Sequence, residues 1–412
     1  MSSDNLKGII ELGNEHFKCL IFEVTDYDQP KIISSSIMPS KGISNGTITN
    51  LLEATRCIRS CVGEAEKIAN ITIKKISIVF EQPEFLCTKL SKNRKVNGAE
   101  IQRDDINFLL KEGKKQVTQN DENYKIIHIF NHNYIVDGKK FYDEHIGVYS
   151  DHLRHEMTFL TAPKSNIKNI NQTFINSDIE VERYFSSTFA LAAQLLNINE
   201  LKHGSILIDV GFEKISVGFF QNIALLNSFT IPIGVNHIAK DISKVCLLDL
   251  PESHAIKNKL DFSFKNNDQL FSSDNLLKDI YFKKTDYRKI SKSLIYSIVK
   301  ARLDEVFLMI KKNLFIEKNI SLSAENFFIT GDGSCLSNLE SCFSNYFGVN
   351  VKKIKINSSK KNNKNLENSF DFITCLGAIK IITEGWETEA IPVSTSEERR
   401  KIGFFQRIFG NN

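Results

Sequence analysis

The chain has 412 residues, 42% of them hydrophobic, and its 53 Lys and Arg against 49 Asp and Glu leave a net charge of only +4. That is ample for a buried core and, by length, for two or more domains. The near-balance of charge sets aside a polyanionic partner for the chain as a whole, so no nucleic acid is expected, and any basic excess matters where it is local.

Eight cysteines (Cys19, Cys57, Cys61, Cys87, Cys246, Cys335, Cys342 and Cys375) form no C-x-x-C pair and sit mostly in apolar surroundings. They read as reduced, buried thiols of a cytoplasmic protein. Cys57 and Cys61 share a helix face but lack two further metal ligands. The N-terminus is polar and no apolar run approaches the ~20 residues of a membrane span, so neither a signal peptide nor a transmembrane helix is expected.

In chain order, residues 8–12 and 17–24 read as strands around the turn Gly13-Asn14-Glu15, and 31–38 as a third. A helix follows over 50–69, where Leu51, Leu52, Ala54, Ile58, Val62 and Ala65 recur at helical spacing. A buried strand over 73–80 closes at Pro83. Residues 84–163 change character: a helix at 104–114, strands at 124–130, 133–136 and 154–160, and a loop at 141–148 describe a small inserted α+β module. His128, His132, His145, His152 and His155 fall in it at irregular spacings that match no metal-ligand pattern. Then come a helix (165–176), a short strand (179–182) and a helix (187–196).

The strand at 205–208 ends on Asp209-Val210-Gly211, followed by strands at 215–220 and 224–231, a break at Pro232 and Gly234, and helices at 238–247 and from Pro251. The longest helical pattern is 287–313, with Ile290, Leu294, Ile298, Leu303, Val306, Met309 and Ile310 on one face. A strand at 326–329 runs into Thr330-Gly331-Asp332-Gly333-Ser334 and a helix at 335–343. Strand, Gly-rich turn and helix N-terminus make an anion- or nucleotide-facing arrangement. Residues 351–368 read as a solvated strand and loop, 372–382 as a helix, and 386–398 as a polar linker.

Residues 9–24 (IIELGNEHFKCLIFEV) are echoed by 207–220 (LIDVGFEKISVGFF): strand, acid, apolar residue, Gly, short polar turn, strand. Two copies of one unit suggest two similar lobes facing one ligand. Hairpin amides can cradle a phosphate, and the strand-end carboxylate can hold its metal through water.

The chain ends RRKIGFFQRIFGNN. At about 100° per residue, Ile402, Phe404, Phe405, Ile408 and Phe409 fill one arc, and Arg399, Arg400, Gly403, Gln406 and Arg407 the other. Lys401 falls on the apolar side, where its stem can snorkel. This is a short basic amphipathic helix behind a linker, the pattern of a peripheral anchor on anionic membrane lipids. One such tail binds weakly and reversibly, so firm attachment needs several tails in one assembly.

The acid–Gly turn at 11–14, the turn at 209–211, the Gly234 break, the 330–334 turn, the insert and the tail resemble, in this order, the FtsA family of actin-like bacterial cell-division proteins. The resemblance covers nearly the whole chain, and residues 125–136 followed by Ile146-Gly147 are similar to the family's characteristic subdomain. It implies an α/β, actin-like two-lobed fold of duplicated RNase H-like domains with an inserted small α+β subdomain and a C-terminal amphipathic helix. The first lobe would take 1–82 with 164–203 and 366–386, the insert 83–163, and the second lobe 204–365, including a subdomain at 236–320. The linker would be 387–398 and the membrane helix 399–412. The resemblance also implies ATP with Mg²⁺ in the cleft, self-association into filaments, binding to the tubulin-like division protein FtsZ, and later division proteins recruited through the insert. The place implied is the cytoplasmic face of the bacterial inner membrane at the division site. Carried over by position, Glu11 and Asp209 would hold hydrated Mg²⁺, and Gly13, Asn14 and Gly211 would face phosphate. Gly234 would lie near the nucleotide, Gly331, Asp332 and Gly333 would back the adenosine, and Lys257 would approach ribose and adenine.

The departures from the family pattern are specific. Where the second phosphate turn usually carries further glycines, this chain has Phe212 and Glu213, and the later Asp is Ser216. The first turn reads Asn14-Glu15-His16, without the usual Lys, and the middle residue of the adenosine turn is Asp332. No acid or Gln in 181–196 is placed to orient an attacking water. These changes predict weakened nucleotide binding with little or no hydrolysis, and no catalytic residue is assigned. Two other readings of the same fold are a pilus-assembly adaptor of the PilM type and a sugar-kinase or phosphatase enzyme. The tail and insert speak against the first, and the degraded turns against the second.

Overall fold

The computed structural model describes residues 5–24, 30–142, 144–259, 276–286, 288–315, 326–354 and 370–384. Two compact units emerge: Met1–Gly204 with Gly218–Ser228 and Ile356–Asn412, and Ser205–Val217 with Phe229–Lys355. Residues 218–228, which run through β-strands paired with the second sheet, are grouped with the first unit.

In the first unit, β1 (Leu6–Leu12), β2 (His16–Glu23) and β3 (Lys31–Pro39) form the expected antiparallel meander. A two-residue hairpin, β4 (Ile43–Ser44) and β5 (Thr47–Ile48), turns on Asn45 and Gly46, both at positive φ (47° and 75°). Asn-Gly suits this mirror-image turn, whose twist matches the strands. Helix α1 (Leu51–Ala69) starts where Asn50 Oδ1 accepts the Glu53 N–H at 3.2 Å, and ends at Asn70 with φ 53°. Ser34 and Ser36, alternate residues on β3, are its two buried positions. Their hydroxyls donate to α1 carbonyls, Ser34 to Ala65 at 2.8 Å and Ser36 to Cys61 at 2.6 Å. Strand β6 (Lys75–Phe80) lies parallel to β1.

The insert follows: β7 (Leu86–Glu100), α2 (Arg103–Asn120), β8 (Tyr124–Val136), β9 (Lys139–Phe141) and β10 (Tyr149–Pro163), with sheet order β7-β10-β8-β9. Two findings differ from the sequence reading. Strand β7 was not anticipated, because its exposed face carries Lys89, Asn93 and Lys95 and only Leu90 and Val96 reach the core. The two strands expected at 124–130 and 133–136 are one, with a register shift between Glu156 and Met157 of β10 absorbing the polar Asn131-His132 step. Helix α2 covers one sheet face through Ile106, Leu109, Leu110 and Val117 against Tyr134, Leu153, Met157 and Phe159.

Three histidines of the insert are held neutral. Burial depresses His128 to about 3, with Arg183 adding to it, and depresses His132 and His155 to about 4. His155 is fully buried, stacks on Tyr134 at 4.3 Å, and has no hydrogen-bond partner on either ring nitrogen. An unfolded histidine titrates near 6.5, so below that pH the unfolded chain takes up protons that the folded chain refuses. Stability is therefore complete above pH ~6.5 and drains as pH falls toward 4, by about 2 kcal/mol per fully buried histidine at pH 5. Urea midpoints measured from pH 7.5 to 5 should show this loss, and His155→Phe should remove about a third of it. A flat profile for the wild type would contradict the neutral, buried assignment.

After the insert come α3 (Lys164–Ile175), β11 (Glu180–Ser186), α4 (Ser187–Leu195) and α5 (Ile198–His203). Strand β11 lies parallel to β6, which completes the sheet β11-β6-β1-β2-β3. The second sheet is built from β12 (Ser205–Val210), β13 (Ile215–Gln221) and β14 (Ala224–Ile231). Helices α6 (Val235–Cys246), α7 (Leu250–Lys259) and α8 (Lys292–Phe315) follow. Then β15 (Asn326–Thr330), α9 (Leu339–Phe347) and β16 (Val351–Lys353) close the unit, and α10 (Ile373–Glu384) returns to the first. The second sheet runs β14-β13-β12-β15-β16, with β12, β15 and β16 parallel. Strand for strand this is the order of the first sheet, three meander strands followed by two parallel ones. The repeat seen in the sequence is thus a repeat of topology.

Candidate functional site

The two acid–Gly turns have the same local geometry. In each, the glycine follows the strand end and crosses close to a carbonyl three residues on. A Cβ on Gly13 would lie 2.6 Å from His16 O, and one on Gly211 2.9 Å from Lys214 O. Gly211 N–H donates to Lys214 O at 2.9 Å. Glycine is needed in both because any side chain would strike backbone.

In the first unit, Glu11, Gly13 and Asn14 stand at the carboxyl end of β1, beside the carboxyl ends of β6 and β11. In open α/β sheets that edge is where ligands bind. Glu11 pairs with Lys18 at 3.6 Å, and Asn14 Nδ2 donates to Asn45 Oδ1 at 3.1 Å while its own Oδ1 is buried and unpartnered. Sequence reading missed the rest of this edge. Glu81 Oε2 accepts from Ser186 Oγ (2.7 Å) and Thr188 N–H (2.9 Å), tying the end of β6 to the start of α4. Ser186 N–H donates to His128 Nε2 at 3.1 Å, which fixes the insert to the same point. Asn166 Nδ2 donates to Gly46 O at 2.8 Å and Gln82 Oε1 at 2.5 Å. The Asn45-Gly46 dipeptide was the one local signal for this edge; the buried network behind it joins residues up to 120 apart.

In the second unit, Asp209, Gly211, Gly234, Gly331 and Gly333 converge. Asp209 pairs in register with Thr330. Gly331 has φ 88°, and a Cβ there would meet Asp209 Oδ1 at 2.3 Å and Val210 O at 2.6 Å. A Cβ on Gly333 would meet Val210 and Val235 side chains at 2.4 and 2.5 Å, and one on Gly234 would meet Phe212 O at 2.3 Å. Gly-rich sequence is therefore required here for close packing of one turn on another. The turn itself differs from expectation: a 3-10 turn (Asp332–Cys335) intervenes, and α9 begins at Leu339 after Asn338 at φ 59°. The expected helix start directly at 335 is corrected by these two left-handed residues. Lys257 is buried on α7, four residues along from Ser253, with its helix tied to the turn by the His254 ring stacked 5.8 Å from Phe212. Nearby, Glu252 is gripped by the 283–285 backbone. Burial pushes its carboxyl up, but N–H donors from Lys284, Thr285 and Asp249 and the Thr285 hydroxyl outweigh that and hold it down at about 2.

The decisive feature is the N-terminus of α6. Helix starts bind anions through unsatisfied N–H groups and the positive end of the dipole. Here Val235 N–H donates to Gly211 O (3.1 Å), Asn236 N–H to Phe212 O (2.9 Å), His237 N–H to Gly234 O (3.0 Å) and Gly234 N–H to His237 Nδ1 (3.2 Å). All four are spent on the protein itself. The Glu213 carboxylate lies against the same end, accepting from Asn236 Nδ2 at 2.6 Å and Lys240 Nζ at 3.2 Å. Because His237 Nδ1 accepts the Gly234 N–H, its 3.7 Å approach to Glu213 Oε2 is a contact without a shared proton. The turn thus supplies its own anion, and its residues as they stand fit a second, polyphosphate one poorly. Asn236 and Lys240, which do this, lie more than twenty residues from Glu213, and no sequence signal paired them. Among the described residues no group of three or more His, Cys, Asp or Glu is arranged to hold a metal ion.

The duplicated sheets with an insert after β6 define an actin-like fold. Solved structures agree: a PilM–PilN type IV pilus biogenesis complex (TM-score 0.62, 12% identity, 92% of this chain and 98% of that one) and MreB5 of Spiroplasma citri bound to ADP (0.53, 11%, 92% and 98%). At such identities they speak to fold alone. Family models match residues 206–377 as cell division protein FtsA and 86–161 as the SHS2 domain inserted in FtsA, together more than half of the chain. The chain is 24% identical to the cell division protein FtsA of Buchnera aphidicola subsp. Schizaphis graminum, over 84% of this chain and 83% of that one. It belongs to the FtsA family of cell-division proteins.

The PilM likeness is structural, and the PilM-type reading gains nothing further from it. No described helix is long and apolar enough to cross a membrane. The residues expected to bind the membrane, Arg399 to Phe409, and the linker before them lie outside the described residues.

Proposed function

We propose that this chain is an actin-like division scaffold. It polymerises at the cytoplasmic face of the bacterial inner membrane, tethers FtsZ there through its basic amphipathic tail, and gathers later division proteins through the inserted module. The observation that carries this reading is the insert: a separate sheet and helix with its own core, matched to the FtsA-specific domain and bonded to the strand-end edge through His128 and Ser186. ATP with Mg²⁺ is read as a weakly held regulatory ligand that is not turned over, because the second turn is closed on itself by Glu213 and α6.

The test is co-sedimentation of the full chain and FtsZ with vesicles, with and without anionic phospholipid. FtsZ should pellet only when the full chain and anionic lipid are both present. Removing 399–412 should cut vesicle binding at least tenfold, since five partly buried apolar side chains and four cations together supply a few kcal/mol. Unchanged pelleting after that deletion would sink the anchor, and no retention of FtsZ by the full chain would sink the tether.

A further inference from the structure

The first unit has a cavity of about 350 Å³ that the division reading leaves unused. It opens between one face of α3, the first residues of β8 and the edge strand β11. Ligand pockets commonly start at about this size. Its floor is apolar, with Ile127 and Ile167 buried, and its walls carry Lys125, Lys164, Lys168 and Arg183.

Four cations and one acid line it. The one acid of the lining, Glu182, is engaged by Lys7 at 3.1 Å. Among the described residues neither Lys164 nor Lys168 has an ion-pair partner, and they stand one helical turn apart on the same face of α3. Lys125 is exposed as a residue, but its ammonium lies 5.3 Å above the Tyr184 ring, and desolvation there lowers its pKa. An ammonium held in that state gains more than a solvated one from a nearby anion. Tyr184 is itself fixed, its hydroxyl donating to Asn171 Oδ1 at 3.3 Å. Cations from three elements therefore converge over an apolar floor.

We propose that this cavity binds a phosphate-bearing ligand with an apolar body, the phosphate held by Lys125, Lys164, Lys168 and Arg183 and the body lying on the isoleucine floor. The same chemistry describes a soluble phosphometabolite and an anionic lipid headgroup. The site is separate from the turns of the second unit, so it does not depend on how nucleotide is handled there.

The probes are inorganic pyrophosphate, by isothermal titration, and phosphatidylglycerol vesicles compared with neutral ones, by sedimentation, both on the full chain. Lys164→Glu/Lys168→Glu should weaken pyrophosphate at least tenfold, and Lys67→Glu on α1 should leave it unchanged. Lys168 is exposed and Lys164 only partly covered, so neither belongs to the core and folding should be kept; Lys164→Gln/Lys168→Gln gives a smaller drop by the same logic. If the double variant also lowers vesicle binding, the phosphate is a headgroup; if only pyrophosphate responds, it is a free phosphate. Absence of pyrophosphate binding to the wild type, or equal binding to the charge-reversed variant, overturns the site. So does lysine-dependent binding of a glutamate-rich peptide with none of pyrophosphate, which would make the cavity a peptide groove.

Discussion

Gly377→Ala is expected to destabilise the chain by about 3 kcal/mol, although alanine is the better helix former by about 1 kcal/mol. Gly377 lies inside α10, where that helix crosses α4. A Cβ there would fall 1.8 Å from Ala190 O and 2.6 Å from Ala190 C. The obstacle is backbone, so no rotamer change relieves it and the helices must part. Parting them also strains the Lys380 Nζ bond to Ala193 O, now 2.8 Å. The matched control is Gly63→Ala in α1, where a Cβ meets nothing within 4 Å and propensity alone should act. That variant should be stabilised by up to about 1 kcal/mol. Two urea midpoints moving in opposite directions establish the crossing as a backbone-to-backbone contact. If Gly377→Ala matches Gly63→Ala, the close approach of α4 and α10 is wrong.

The same contrast explains what the sequence made legible. The meander strands, α1 and the 9–24/207–220 repeat were visible because each local choice agreed with the final fold. Apolar residues alternate or recur at helical spacing, and an acid and a glycine sit at each strand end. Strand β7 was invisible because its outward face is charged and Asn97-Gly98 reads as a turn, with both residues at positive φ. The start of α9 was misplaced because Gly331, packed close on Val210, and Asn338 both take positive φ, which delays the helix to Leu339. Asp209, Gly211, Gly234, Gly331 and Gly333, picked out in the sequence, come together in the second unit. The sequence could not reveal that the glycines are consumed by packing, nor that Glu213 is answered by Asn236 and Lys240. Those facts depend on which helix returns over the turn, and that is a long-range outcome.

Phe212→Gly/Glu213→Gly is expected to tighten ATP binding at least tenfold. The reasoning starts from charge. Glu213 places a carboxylate at the positive end of α6, worth about 0.3–1 kcal/mol to the helix and a comparable penalty to any other anion that approaches it. Removing it also frees Asn236 Nδ2 and Lys240 Nζ, both now donating to Glu213 at 2.6 and 3.2 Å, to serve an incoming phosphate. Losing the Phe212 ring opens the space over His254. Glycine at both positions lets the backbone approach a ligand without a side chain between. The cost is a looser turn, by about 1–2 kcal/mol for the lost bonds and stack, so the variant should melt earlier without ATP and recover with it. Glu213→Gln separates charge from shape. It keeps an acceptor for Asn236 and should deliver part of the gain in affinity with little loss of stability. Titration of the three proteins with ATP and Mg²⁺ reads the result directly. A wild type that already binds ATP as tightly as the double variant would mean that Glu213 does not guard this turn. A wild type that also hydrolyses it would remove the case for a scaffold working without turnover.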